Sequence, residues 1–148
     1  MWGCWIVFLV IVIGNVVQST VFHISRVKKS WVSAIEYCKC YEMRLAVVDT
    51  LEKQKLLEQA IVGSPIFSKK YTTVWIGAND RETEGHFVWQ PTGTAVQYSN
   101  WGPTAPNKRG RNKNCVHLVY SENRIFEWDD WRCQRESNVA CEKIKDCD

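Results

Sequence analysis

Apolar and polar positions fall into three regimes along the chain. From Trp5 to Ile13 every residue is apolar, and the run gives way to small and polar residues at Gly14, Asn15, Gln18, Ser19 and Thr20. A short apolar stretch closed by small residues predicts a secretory leader over residues 1–19, with the domain occupying 21–148. A membrane anchor would need about 18 to 20 unbroken apolar residues, and Asn15 and Gln18 interrupt this run. The mature chain is therefore expected to be secreted and to carry no membrane span.

The second regime has helical spacing. After a strand-like alternation at Val21 to Ser25, Ser30 is placed to cap a helix on which Trp31, Ala34, Ile35, Cys38 and Tyr41 recur along one face. Arg44 to Val48 reads as a short strand. A second helix starts at Asp49 or Thr50, where Asp49 and Glu52 resemble a capping box. Leu56, Leu57, Ala60 and Ile61 form its stripe, and Gly63 with Pro65 ends it.

Beyond Ser68 the period shortens. Strand candidates at Thr73 to Ile76, Phe87 to Trp89, Val116 to Tyr120 and Ile125 to Trp128 alternate with turn-rich stretches, which predicts an α+β domain. Between Pro91 and Asn114 lies a segment with few apolar residues, longer than a plain connector in a compact domain.

Composition narrows the function. The 148 residues suit one domain, and a hydrophobic content of 45% supports a core. A net charge of +3 is too modest to point to nucleic acid. Only His23, His86 and His117 are available as imidazole bases, and no nucleophile elbow, zinc-binding His-Glu-x-x-His or phosphate-cradling glycine loop occurs. The chain is expected to bind rather than to catalyse.

Without the leader and its Cys4, six cysteines remain: Cys38, Cys40, Cys115, Cys133, Cys141 and Cys147. An even number in an oxidising compartment predicts disulfides, and their spacings do not repeat as the paired hooks of a zinc site. Cys40 lies about 200° round the helix from Cys38 and needs a partner of its own.

The run Trp75-Ile76-Gly77-Ala78-Asn79-Asp80, followed by Phe87-Val88-Trp89, Asn100-Trp101, Ala105-Pro106-Asn107, Asn114-Cys115-Val116, Trp128-Asp129-Asp130 and Ala140-Cys141-Glu142, resembles the C-type lectin-like domain in order and spacing. The resemblance extends from Phe22 to Glu142 and includes Ala34 to Cys38 and Met43 to Ala46. It implies two helices flanking small antiparallel sheets with a long loop region. It also implies disulfides Cys38–Cys141 and Cys115–Cys133. The leftover Cys40 and Cys147 are expected to pair, because Cys38 and Cys141 draw their segments together. Trp75, Trp89, Trp101 and Trp128 would be framework residues, leaving Trp131 as a surface candidate.

In lectins of this family one calcium sits in the long loop, held by the outer residues of a Glu-Pro-Asn or Gln-Pro-Asp triplet, a Glu two before a Cys, and an Asn-Asp pair after Trp. The matching positions here are Ala105-Pro106-Asn107, Lys113 and Asp129-Asp130. Asn107, Asp129 and Asp130 keep an oxygen donor; Ala105 and Lys113 do not. Six to eight oxygens are needed, so calcium is expected to bind weakly or not at all, and no other cofactor is expected. Lys113 is expected to form an ion pair with Asp129 or Asp130 in place of the metal.

Lys108, Arg109, Arg111 and Lys113 cluster in the same loop without an acid. They read either as a solvated loop or as an anion-recognising surface. The expected function is calcium-independent recognition, through Asn107, Lys108, Arg109, Arg111, Lys113, Asp129 and Asp130, of a glycan (anionic groups included) or an extracellular protein. The alternative is a calcium-dependent carbohydrate-binding lectin with a divergent site. No coiled-coil or collagen-like segment indicates an oligomeric state.

Overall fold

A computed structural model describes residues 21–107 and 112–143. The expected leader, Lys108, Arg109, Arg111 and Cys147 lie outside the described residues.

The elements follow as β1 (Phe22–Ile24), α1 (Trp31–Cys40), β2 (Met43–Leu45), α2 (Leu51–Val62), β3 (Tyr71–Asn79), β4 (Val88–Trp89), β5 (Lys113–Ser121), β6 (Arg124–Arg132) and β7 (Asn138–Lys143). Ser30 caps α1 by accepting from the Ser33 N–H. Tyr41, placed by spacing on the buried stripe, instead closes the helix and is exposed, because its N–H turns back to the Cys38 carbonyl. Thr50 rather than Asp49 caps α2, accepting from the Lys53 N–H.

Strands run in the order β1-β7-β3-β5-β6, with β2 on β7 and β4 on β3. The pairings are antiparallel except β3 with β7, which run parallel through Val74–Asn138 and Trp75–Val139. Side-chain alternation on β3 divides the core. Val74, Ile76 and Ala78 face the layer under α2 with Leu57, Ile61, Trp89 and Trp128, whereas Trp75 joins Trp31, Ala34, Cys38 and Val139 under α1. The indoles also act as ties: Trp31 Nε1 donates to the Ile76 carbonyl at 2.8 Å and Trp75 Nε1 to the Lys29 carbonyl at 2.9 Å. Gln54, a polar residue on the buried face of α2, is satisfied by donating to the Phe126 carbonyl at 3.1 Å and accepting from Trp128 Nε1 at 2.9 Å.

Cys38–Cys141 and Cys115–Cys133 are both formed. Cys40 is exposed and without a disulfide partner among the described residues.

His117 on β5 is enclosed between Trp75, at 5.3 Å between ring centroids, and Trp131, at 5.9 Å. Its Nε2 is buried with no hydrogen-bond partner among the described residues. Burial pushes the imidazole down to about 4; Asp129 opposes this, and Arg124 and Lys113 add to it.

Two predictions follow from the core. Removing Cys38–Cys141 by paired alanine substitution, across 103 residues, should cost about 4–5 kcal/mol in the chain-entropy account, and removing Cys115–Cys133, across 18, about 3 kcal/mol. Thermal melts of the two double variants should rank in that order. His117 is neutral when folded, so its contribution is full above the unfolded value of about 6.5 and is lost as pH falls from there to about 4. That loss is on the order of 3 kcal/mol. Urea unfolding at pH 7.5 and 4.5 should show it, and His117→Phe should flatten the difference; an unchanged pH dependence in that variant would assign the loss elsewhere.

Candidate functional site

The long segment after β4 is laid against β6 by backbone bonds. The Trp128 N–H donates to the Asn100 carbonyl at 2.8 Å, and the Gly102 N–H donates to the Trp128 carbonyl at 3.0 Å. Trp101 adds an edge-to-face contact with Trp128, 5.7 Å between centroids. Gly102 leaves room for a charged pair: a Cβ there would lie 2.8 Å from Glu127 Oε2 and 3.1 Å from Arg124 Nη2, so a larger residue would displace the ends of both side chains. The Ala105–Pro106 peptide is cis. The chain then reaches Asn107, whose N–H donates to Asp130 Oδ1 at 2.8 Å.

This route brings together four of the residues expected in the site: Asn107, Lys113, Asp129 and Asp130. The ion pair expected of Lys113 is not made. Its Nζ donates to Asn107 Oδ1 at 3.2 Å and lies 5.0 Å from the centre of the half-buried Trp131 ring, a cation–π contact, rather than against either aspartate. The partner of Asp129 is Arg124, whose Nη1 donates to Asp129 Oδ2 at 2.8 Å while Nε reaches Glu127 Oε2 at 3.1 Å.

Simple strand alternation hides Arg124, because it would set positions 124 and 129 on opposite faces. The pairing Val119–Glu127 followed by Ser121–Arg124 spends three steps on β6 against two on β5. One residue is therefore extra, and Phe126 adopts φ 51° within that stretch. A bulge of this kind reverses the parity of the residues before it and swings Arg124 onto the face of Glu127 and Asp129. The signal available in sequence was only a glutamate and an aspartate at alternate positions, 127 and 129, near an arginine.

Two buried carboxyls lie behind the loop. Asp80 accepts from the Gly85 N–H at 2.8 Å through Oδ2, and its Oδ1 has no partner among the described residues. Burial raises the Asp80 carboxyl above its ordinary value, and Glu84 and Asp130 push the same way, against the Gly85 bond. Burial also raises Asp130; the Asn107 N–H pulls it back and Asp129 adds to the rise. Among the described residues no group of three or more His, Cys, Asp or Glu converges as a metal cage.

The Lectin C-type domain family model matches residues 27–143. Salivary C-type lectin 1 of Aedes albopictus is 38% identical over 125 residues, covering 83% of this chain and 82% of that protein. Among solved structures, the cow C-type carbohydrate-recognition domain of CD23, determined in the presence of a GlcNAc2Man3 oligosaccharide, is 27% identical with a TM-score of 0.70 over 88% of this chain and 92% of that one. A calcium-independent type II antifreeze protein is 26% identical with a TM-score of 0.67 over 83% of this chain and 85% of that one. With the two helices, the layered sheet, the two disulfides and the long loop laid along β6, these matches establish that the chain belongs to the C-type lectin domain family.

Proposed function

We propose that this chain is a secreted, non-enzymatic binding protein that recognises glycans carrying anionic groups, without calcium, through its long-loop face. The observation that carries the reading is that each oxygen-bearing position of the family's calcium site is already engaged. Asn107 Oδ1 accepts from Lys113, Asp129 Oδ2 from Arg124, and Asp130 Oδ1 from the Asn107 N–H. A calcium ion would have to displace two resident cations, with no carboxylate at Ala105 or Lys113 to replace them. An ion on Asn107 would also sit beside the ammonium. Two like unit charges 4 Å apart cost about 4 kcal/mol at an effective dielectric of 20, and calcium carries twice the charge.

The residual donor set therefore does not fit calcium, and hydrogen bonds within the protein take over its ordering role. Lys108, Arg109 and Arg111 follow Asn107 directly in the sequence, beside Lys113, and their cationic groups suit sulfate or carboxylate. The likeness to a carbohydrate-recognition domain solved with an oligosaccharide supports a glycan as the ligand class. The likeness to a calcium-independent antifreeze protein supports a long loop that does without the ion. Secretion is supported by the leader-like residues 1–19 and by the salivary relative; no helix of the described residues is long and apolar enough to cross a membrane.

The melting temperature of the oxidised protein should be the same in excess EDTA and in millimolar calcium, since only a ligand of the native state raises it. Binding to a heparin-type polysaccharide should persist in EDTA and weaken steeply as ionic strength rises. A calcium-induced rise in melting temperature with displacement by neutral sugars would restore the calcium-dependent lectin. Absence of any polyanion binding would reject the anionic ligand.

A further inference from the structure

We propose that a polar cleft at the start of α1, separate from the calcium-site positions, is a binding site for one sulfate or carboxylate group on a sugar. It extends the anionic-glycan reading to a second point of contact and is tested independently of it.

The cleft has a volume of about 410 Å³, within the roughly 300–1,000 Å³ range of small-ligand sites. Ser30, Val32, Arg81, Asn112, Asn114 and Gln134 form its walls over Cys133. The side chains with polar groups are a guanidinium, three carboxamides and a hydroxyl, and no carboxylate among the described residues lines it. Such a lining offers one fixed positive charge and many N–H donors. It suits a single oxyanion with neighbouring sugar hydroxyls, and it does not suit a cation.

Arg81, Asn114 and Cys133 are tied at the backbone. The Arg81 guanidinium carbon lies over the buried Trp31 ring, 5.6 Å from its centre, a cation–π contact that places the charge at the cleft. Its backbone N–H is tied to Asn79 Oδ1 at 3.3 Å. Asn114 is the extra residue between the pairs Lys113–Arg132 and Cys115–Trp131, so the ladder gives it up and the cleft takes it. Its carbonyl accepts from the Asp80 N–H at 3.0 Å. Asn112 holds φ 83°, a left-handed conformation that asparagine tolerates better than most residues. On the far wall Cys133 is bonded to Cys115, and its carbonyl accepts from the Trp31 N–H at 2.9 Å.

The end of α1 adds a favourable field rather than a ready set of donors. The Trp31 N–H is spent on Cys133 and the Ser33 N–H on Ser30 Oγ. The site therefore rests on Arg81 and the three amides.

The test is a side-chain NMR titration of the full oxidised protein, reading the Arg81 Nε–H and the amide groups of Asn112, Asn114 and Gln134. The probes are N-acetylglucosamine 6-sulfate, glucuronate and neutral N-acetylglucosamine. Saturable shifts at these groups with the sulfated or the carboxylated sugar, and none with the neutral one, are expected; whichever acid binds more tightly names the source of the oxyanion. Arg81→Gln should weaken the response at least tenfold, and Arg81→Lys, which keeps the charge but loses the fork, should fall between. Arg81 is exposed, so both variants should fold.

Shifts that are equal for charged and neutral sugars, absent altogether, or unchanged in Arg81→Gln overturn the proposal. Heparin binding abolished by neutralising Lys108, Arg109, Arg111 and Lys113, with no response in the cleft, would leave the long-loop reading standing and the cleft rejected. A cleft that titrates in a protein unable to hold heparin would reverse that outcome.

Discussion

Glu142 is a carboxylate with 2% of its side chain exposed, directly opposite Arg44 across the β2–β7 pair, and donors from three places converge on it. Arg44 approaches Oε1 from β2 at 3.0 Å, the Val47 N–H reaches the same oxygen at 3.2 Å, and Lys53 on α2 meets Oε2 at 2.9 Å. A buried charge stripped of its partners is costly, so these contacts fix β7 against β2 and α2 together. The neighbouring Cys141 fastens the same strand to α1. With β7 located, β3 is held parallel to it, β5 lies on β3, and β6 lies on β5. The long loop leaves β4, where Ala95 bridges Val88, and is laid along β6 through Trp128, so its geometry is inherited through this chain of pairings.

On that platform the charges are arranged so that the protein supplies its own cations. In a calcium-bearing site the ion gathers carboxylates whose mutual repulsion would otherwise open the loop. Here Arg124 takes Asp129, Lys113 takes Asn107, and the loop backbone takes Asp130. The raised carboxyls of Asp80 and Asp130 mark what is left over: two acids pushed toward the neutral form by burial, Asp80 also by Asp130 and Asp130 by Asp129, and Asp80 with an oxygen that no described group satisfies. Their titration runs opposite in sign to that of His117. A carboxyl with a raised folded value is destabilising when ionised, and that penalty is relieved as pH falls.

The fold was legible because its determinants are local or patterned. Trp31, Ala34 and Cys38 announce one face of α1 by spacing alone, and Trp75, Trp89 and Trp128 are as buried as their place in the family pattern implies. What escaped was set by tertiary contact. Gln54 looks like a solvent-facing residue of α2 until Trp128 and the Phe126 carbonyl are brought to it. Arg124 was invisible because one extra residue in β6 overturns the alternation on which any face assignment depends. The Lys113 ion pair failed for a related reason: Arg124 already holds Asp129, and Trp131 and Asn107 offer the ammonium a closer seat.

Preorganisation gives the arrangement its value for binding. A loop ordered by a metal loses that order when the ion dissociates, so ligand affinity is tied to calcium activity. Here the Asn107–Asp130 and Lys113–Asn107 bonds tie both flanks of the loop to β5 and β6 without an ion, and a ligand meeting those flanks need not supply the entropy of ordering them. On the proposed reading the cost is versatility, since a sugar would not coordinate a shared ion through its hydroxyls. Specificity then has to come from charge and shape, as fixed cations and amides provide. Two anion contacts on one domain, one following Asn107 in the sequence and one at Arg81, would favour ligands bearing several acidic groups over those bearing one, because the second contact forms at the high effective concentration that the first creates.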